Sequence, residues 1–255
     1  MILNIIVYIL AGLGAGVLTG FCGISAAVIV TPALVSLCGF DAYHAVCVAM
    51  ASDVIASAAT AYSFGKHGNV RLKDALILMA VVLCFTFVGS WLGDLIPHEA
   101  LGTISVFITP LMGLKFLFLP TTNLGSVLGE QSRRDLIIET LFVGAGIGLI
   151  AGFAGAGGGE MLLFALTTLL GYEVKEAIGT GVFIMAFIAL VGCVSHVYIG
   201  GWPDMTAFVI CIIGNFSGAV FAARIANKMT SEALNRIIGI FLVSSGLIML
   251  IAHFL

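Results

Sequence analysis

The chain has 255 residues, 61% of them hydrophobic and only 9% charged, with a mean hydropathy of +1.21. An ordinary soluble domain carries about 25% charged residues to solvate its surface, so this composition excludes one and describes a single polytopic membrane unit. A formal charge of −3 with no basic run longer than Arg133-Arg134 excludes a nucleic-acid binder, and the six cysteines (22, 38, 47, 84, 193, 211) lie in apolar stretches without disulfide or metal-ligand spacing.

Met1, Ile2, Leu3 and Asn4 lack the basic start of a cleavable signal, so the first apolar stretch is expected to stay in the protein. A bilayer core of about 30 Å needs about 20 apolar residues per helix. Stretches of that kind lie near 41–64, 72–96, 99–119, 173–198, 204–227 and 231–254. Helices are expected throughout, because an open sheet leaves backbone groups unpaired in lipid. Residues 4–38 and 136–171 are each too long for one span, and glycine clusters at 20–23 and 152–159 interrupt them. Each reads as two shorter helices around a break. The piece from Ser25 to Cys38 is short, which favours a re-entrant pair. Trp91 and Trp202 fall near span ends and suit interfacial anchoring.

The two interrupted stretches match. Gly12, Gly14, Gly16, Gly20, Phe21 and Gly23 recur as Gly144, Gly146, Gly148, Gly152, Phe153 and Gly155, at a constant offset of 132. Ala33, Leu34, Leu37, Gly39 and Ala45 recur as Ala165, Leu166, Leu169, Gly171 and Ala177, and after one insertion Gly113-Leu114 meets Gly246-Leu247. The chain therefore divides into a first repeat (1–119), a connection (120–135) and a second repeat (136–255). Internal repeats of this kind are a transporter signature. Lys66, Arg71 and Lys73 load one loop of the first repeat, whereas the matching stretch Gly200–Met205 has no Lys or Arg, and Arg224, Lys228 and Arg236 flank the next loop instead. Because Lys/Arg excess marks the cytoplasmic side, the repeats are expected to be inverted. The connection is then cytoplasmic and both termini extracytoplasmic.

The breaks carry the chemistry. Gly157, Gly158 and Gly159 weaken a helix by roughly 1 kcal/mol each. A break present in both halves suggests discontinuous helices whose free N–H groups bind an anion near the midplane. Gly23 and Ser25 would line it from the first half. Cys22 sits at the first break, where a helix N-terminus favours a thiolate; its plainer reading is a small buried hydrophobe. Asp53 lies mid-span, where an acid costs about 2.5–3.5 kcal/mol, and reads either as a structural acid bonded to a neighbouring helix or as a proton-coupling group. Glu160 follows the glycines and reads as a favourable acid in a first helical turn or as a proton partner. His196, near a span end, reads as an interfacial hydrogen-bonding residue rather than a metal ligand.

Gly155, Gly157, Gly158 and Gly159 resemble the GxGGG motif of the sulfite exporter TauE/SafE family. Ala177, Gly179 and Thr180, followed by His196 and Gly200, resemble a second family pattern, with Gly181 where that pattern has serine. The proline that follows the glycines in the family stands at Pro32 in the first half, with Phe164 at its place in the second. The resemblance covers nearly the whole chain. It implies a permease for a small sulfur-containing anion such as sulfite, thiosulfate or an organosulfonate, with Thr180 as a pocket hydroxyl.

Together these readings predict an all-α integral membrane protein of two inverted repeats, each a glycine-broken helix pair plus three transmembrane helices. The expected function is secondary transport by alternating access, in the cell (inner) membrane, with no enzymatic step, cofactor or metal, and with a coupling proton. The oligomeric state stays open, an oligomer included. Two other classes stay open: an intramembrane enzyme using Ser25, Cys22 or Ser195 with His196, and a passive anion channel.

Overall fold

The computed structural model describes residues 2–93, 110–111, 113–118, 141–149 and 158–254, and all regular structure among them is helical. In chain order the elements are α1 (Ile2–Cys22), α2 (Ala27–Cys38), α3 (Ala42–Gly65), α4 (Leu72–Gly93), α5 (Gly158–Thr168), α6 (Val174–Gly200), α7 (Met205–Ala226) and α8 (Ser231–Phe254). Residues 113–118 and 141–149 are also helical. Gly152, Gly155, Gly157 and the 120–135 connection fall outside the described residues. Ile2–Cys22, Ala42–Gly65, Val174–Tyr198 and Met205–Ala226 are each long and apolar enough to cross a membrane.

The first glycine break is as expected. α1 ends at Cys22, Gly23 takes a left-handed φ of 68°, and α2 follows as a 12-residue helix. At 1.5 Å per residue, α2 is about 18 Å long, short of a bilayer core. Its far end is closed by Gly39 (φ 72°), with Phe40 N–H donating to Leu34 O at 3.1 Å. The second repeat closes α5 in the same way: Gly171 has φ 63° and Tyr172 N–H donates to Leu166 O at 2.8 Å. A left-handed glycine that returns an N–H to the last turn ends both helices, and both the glycines and their hydrogen bonds keep the offset of 132.

The chain forms two compact units, Met1–Val70 with Ile178–Lys228, and Arg71–Ala177 with Met229–Leu255. In the first unit α1 packs lengthwise on α7. Small residues set this seam. A Cβ on Gly12 would lie 2.9 Å from Cys211 O, one on Gly20 would lie 2.5 Å from Ala219 O, and one on Gly16 would overlap Asn215 O. Gly218 on α7 is equally tight against Leu13 O, at 2.5 Å. Without a hydrophobic drive between helices in lipid, close backbone approach through such residues supplies the association. α3 is buried on several sides, packing on α7, α2 and α1. It also runs beside α6, with Phe64 and the Asn69 carbonyl at Gly179, Met50 at Gly192 and Tyr43 at Gly200.

The second unit repeats the seam. The 141–149 helix packs on α4, where a Cβ on Gly144 would lie 2.9 Å from Leu78 and one on Gly148 2.6 Å from Val82 O. Gly144 and Gly148 are the copies of Gly12 and Gly16, and α4 is the copy of α7. In each unit, then, the first helix of one repeat packs on the fourth helix of the other. Elsewhere in this unit the contacts are reciprocal: Gly113 abuts Val243 while its copy Gly246 abuts Pro110.

Candidate functional site

The first break is occupied by the chain's own carboxylate. Gly23, Ile24 and Ser25 turn the chain so that α2 starts inside the first unit, with Thr19 Oγ1 donating to Ile24 O at 2.8 Å to hold the turn. Asp53 reaches this start from the middle of α3. Ser25 Oγ donates to Asp53 Oδ2 at 2.5 Å, and Ala26 N–H donates to Oδ1 and Oδ2 at 2.8 and 2.9 Å. Ala27 N–H donates to Ser25 Oγ at 3.2 Å. The first N–H groups of a helix have no partner within it and the dipole there favours negative charge, so Asp53 closes α2 from a neighbouring helix. It is 1% exposed.

Asn215 of α7 also interacts with this carboxylate, and its Nδ2 donates to Ser52 Oγ at 2.9 Å. Its Oδ1 is buried without a donor. Ser57 Oγ and Thr60 Oγ1, one and two turns beyond Asp53 on α3, are likewise fully buried without a partner. Ser63, next along, accepts from Asn227 Nδ2, and Asn69 Nδ2 donates to Asn227 Oδ1, both at 3.3 Å. α3 thus carries a polar face from the break to the loop beyond its end.

The remaining residues expected at the first break fall within the same unit. Cys22 is fully buried at the end of α1. Gly23 donates its N–H to Thr19 O at 3.0 Å, and a Cβ on it would lie 3.3 Å from Val182 and 3.5 Å from Ile178 of α6. Thr180, fully buried, lies between those two α6 residues in sequence. The second break belongs to the other unit. Gly158, Gly159 and Glu160 open the described part of α5, and Glu160 is 5% exposed.

Ser195 and His196 do not pair as nucleophile and base here. Ser195 Oγ donates to Val191 O at 2.8 Å, while His196 Nδ1 lies 2.9 Å from Gly192 O and its ring stacks on Tyr43. Sequence reasoning passed over two polar residues. One is Asn215, an uncharged amide mid-span, whose cost in lipid was the available signal. The other is Lys115, whose Nζ donates to Thr168 Oγ1 at 2.7 Å and lies 4.7 Å from the centre of the Phe116 ring; its place in an otherwise apolar run was the available signal.

Long apolar helices, glycine seams and a buried acid at a broken helix define a polytopic helical membrane protein of the transporter kind. The family profile for the sulfite exporter TauE/SafE matches residues 8–249, and the chain belongs to that family. It is similar to a probable membrane transporter protein of Bacillus subtilis, YdhB, at 24% identity over 92% of this chain and 96% of that one. A probable membrane transporter protein of Xylella fastidiosa is 24% identical over 91% of each chain, and one of Haemophilus influenzae 24% over 89% of each. No solved structure matches. The chain is a membrane transporter.

Proposed function

We propose that this transporter is a secondary permease of the cell (inner) membrane that moves a small sulfur-containing anion, such as sulfite, thiosulfate or an organosulfonate, by alternating access. One observation carries the reading: Ser25 O–H and Ala26 N–H converge on a buried anionic group at the start of α2, with no Lys or Arg among them. Donors that hold a carboxylate also suit a sulfur oxyanion, whose charge is spread over several oxygens. Gly23 shapes the turn that delivers them, and Cys22 and Thr180 would form the surrounding wall. Gly158 and Gly159, with Gly157 preceding them, are the repeat counterpart, and Glu160 stands beside those glycines as a second proton-accepting group. Asp53 is the principal proton-coupling residue.

Two pairs of contacts support the inverted arrangement. The corresponding turns at Gly68 and Gly201 lie at opposite ends of the α3–α6 pair, since Asn69 meets Gly179 and Tyr43 meets Gly200. The Gly113–Val243 and Gly246–Pro110 contacts exchange under the repeat offset, as a twofold relation requires. The test is uptake of sulfite and thiosulfate into proteoliposomes with and without an imposed pH gradient. Accumulation above equilibrium that collapses with the gradient is expected. Movement that only equilibrates would make the protein a channel, and no movement of any sulfur anion would overturn the reading.

A further inference from the structure

We propose that Asp53 is a tethered stand-in for the transported anion: ionised Asp53 and a small oxyanion compete for Ser25 O–H and Ala26 N–H, and Asp53 leaves them by taking up a proton and bonding to Asn215. The proposal rests on the permease reading and says how its site is emptied and filled.

The donors are already in use. Ser25 Oγ and Ala26 N–H both end on Asp53; Asp53 and Ala26 are buried and Ser25 is half-buried. An incoming anion placed there would face a carboxylate at contact distance. Two negative charges cannot share those donors in a medium of low dielectric, so the carboxylate must either be neutralised or leave. Protonation achieves both, because a carboxylic acid becomes a donor and gains little from two more donors pointing at it.

The protonated form has a partner waiting. Asn215 interacts with the carboxylate, yet its Oδ1 is buried with no donor. Buried acceptors of this kind are rare and call for an explanation. An ionised Asp53 cannot supply a hydrogen to it, whereas a protonated one can. Rotating the Asn215 amide by half a turn exchanges its oxygen and nitrogen, bringing Oδ1 to the Asp53 side. The proton comes from water and ends on an Asp53 oxygen; no other bond is made or broken. Ser57 Oγ and Thr60 Oγ1, also unpartnered, continue the polar face toward the Asn69–Asn227 end.

Among the described residues of the first unit, no other acid lies at this break. α1 and α2 contain no Asp, Glu, Lys, Arg or His. On α7 the charged residue is Arg224, in the last turn, and on α6 after Ile178 the one histidine is His196, beside Tyr43 at the opposite end. The thiols on α3 and the helices around it are Cys22, Cys38, Cys47, Cys193 and Cys211; Cys47 and Cys193 interact with one another. Each bound anion is therefore matched by one proton on Asp53.

The test is calorimetric binding to the purified full chain. The probes are thiosulfate, which does not itself titrate near neutrality, and sulfite. For the wild type, thiosulfate affinity should fall about tenfold per pH unit once Asp53 is ionised, and one proton should be taken up per anion, read from the buffer dependence of the heat. Asp53→Asn should abolish that pH dependence and bind thiosulfate at least about tenfold tighter than the wild type at neutral pH. An Asp53→Asn protein that binds more weakly, or keeps the pH dependence, overturns the competition while leaving the permease reading intact. If Asp53→Asn does not fold, the wild-type proton count decides: zero overturns the proposal. Failure of the wild type to bind either anion overturns both readings.

Discussion

Asp41 and Asp53 perform the same task in two different settings. Asp41 precedes α3 and accepts from the His44 backbone N–H at 3.1 Å and from its ring, in the open. Those two hydrogen bonds hold its carboxyl below the usual range. A lowered folded value means the stabilisation is fully present above the unfolded carboxylate pKa of about 3.9 and is lost as pH falls through the folded value. The difference in thermal stability between the wild type and Asp41→Asn in detergent should therefore be constant near pH 5 and shrink on further acidification. A difference that persists in acid would mean the cap does not depend on charge. In the sequence, position 41 reads only as the start of a span, although an acid directly before an apolar run is the local signal of a cap. Asp53 closes a helix 27 residues earlier in the chain. Its mid-span position announced a buried acid, but its partner depends on how α1, α2 and α3 pack, which no spacing encodes.

Among the helices, α1 shows how finely one element is divided between faces. Gly14 and Gly16 are two residues apart, yet a Cβ on Gly14 would meet only Ile29 at 3.8 Å, while one on Gly16 would overlap the Asn215 backbone. Gly14→Ala should therefore be neutral or stabilising by up to about 1 kcal/mol, since alanine is the better helix former. Gly16→Ala should destabilise by about 1–3 kcal/mol, because backbone cannot yield as a side chain can. Thermal unfolding of the two variants side by side checks this, and equal stabilities would remove the seam from its assigned role. Gly12, Gly16 and Gly20 recur every fourth residue, a stripe with the spacing for close helix packing in lipid, and span limits were legible because charges bound the apolar runs: 41–64 became Ala42–Gly65, and 204–227 became Met205–Ala226. The identity of the stripe's partner was not. α7 carries its own Gly214 and Gly218, but several helices offer small residues, and choosing between them needs three dimensions.

At the scale of the molecule, α3 and α6 run antiparallel. The turns after α3 and α6 should face opposite sides of the membrane. Gly68 and Gly201 themselves have φ of 77° and 82°, where any other residue is strained, so reporters belong on exposed neighbours. In a cysteine-free background, His67→Cys should be labelled by an impermeant thiol reagent only from the cytoplasmic side and Trp202→Cys only from the other. Labelling of both from one side would sink the inverted arrangement.

The exchange of partners between repeats also has a consequence for how the protein is made. Gly16 and Ala219 touch, but they are separated by 203 positions in the chain. At about 5–20 residues per second, α1 waits on the order of 10–40 s between its own synthesis and that of the helix that covers its glycine face. For that interval it sits in lipid with its narrowest surface open, within reach of any other helix bearing small residues. Neither repeat contains the partner for its own first helix. A ribosome that stops at the connection leaves half a molecule with its main seam unfilled, whereas two halves made separately hold everything each needs from the other.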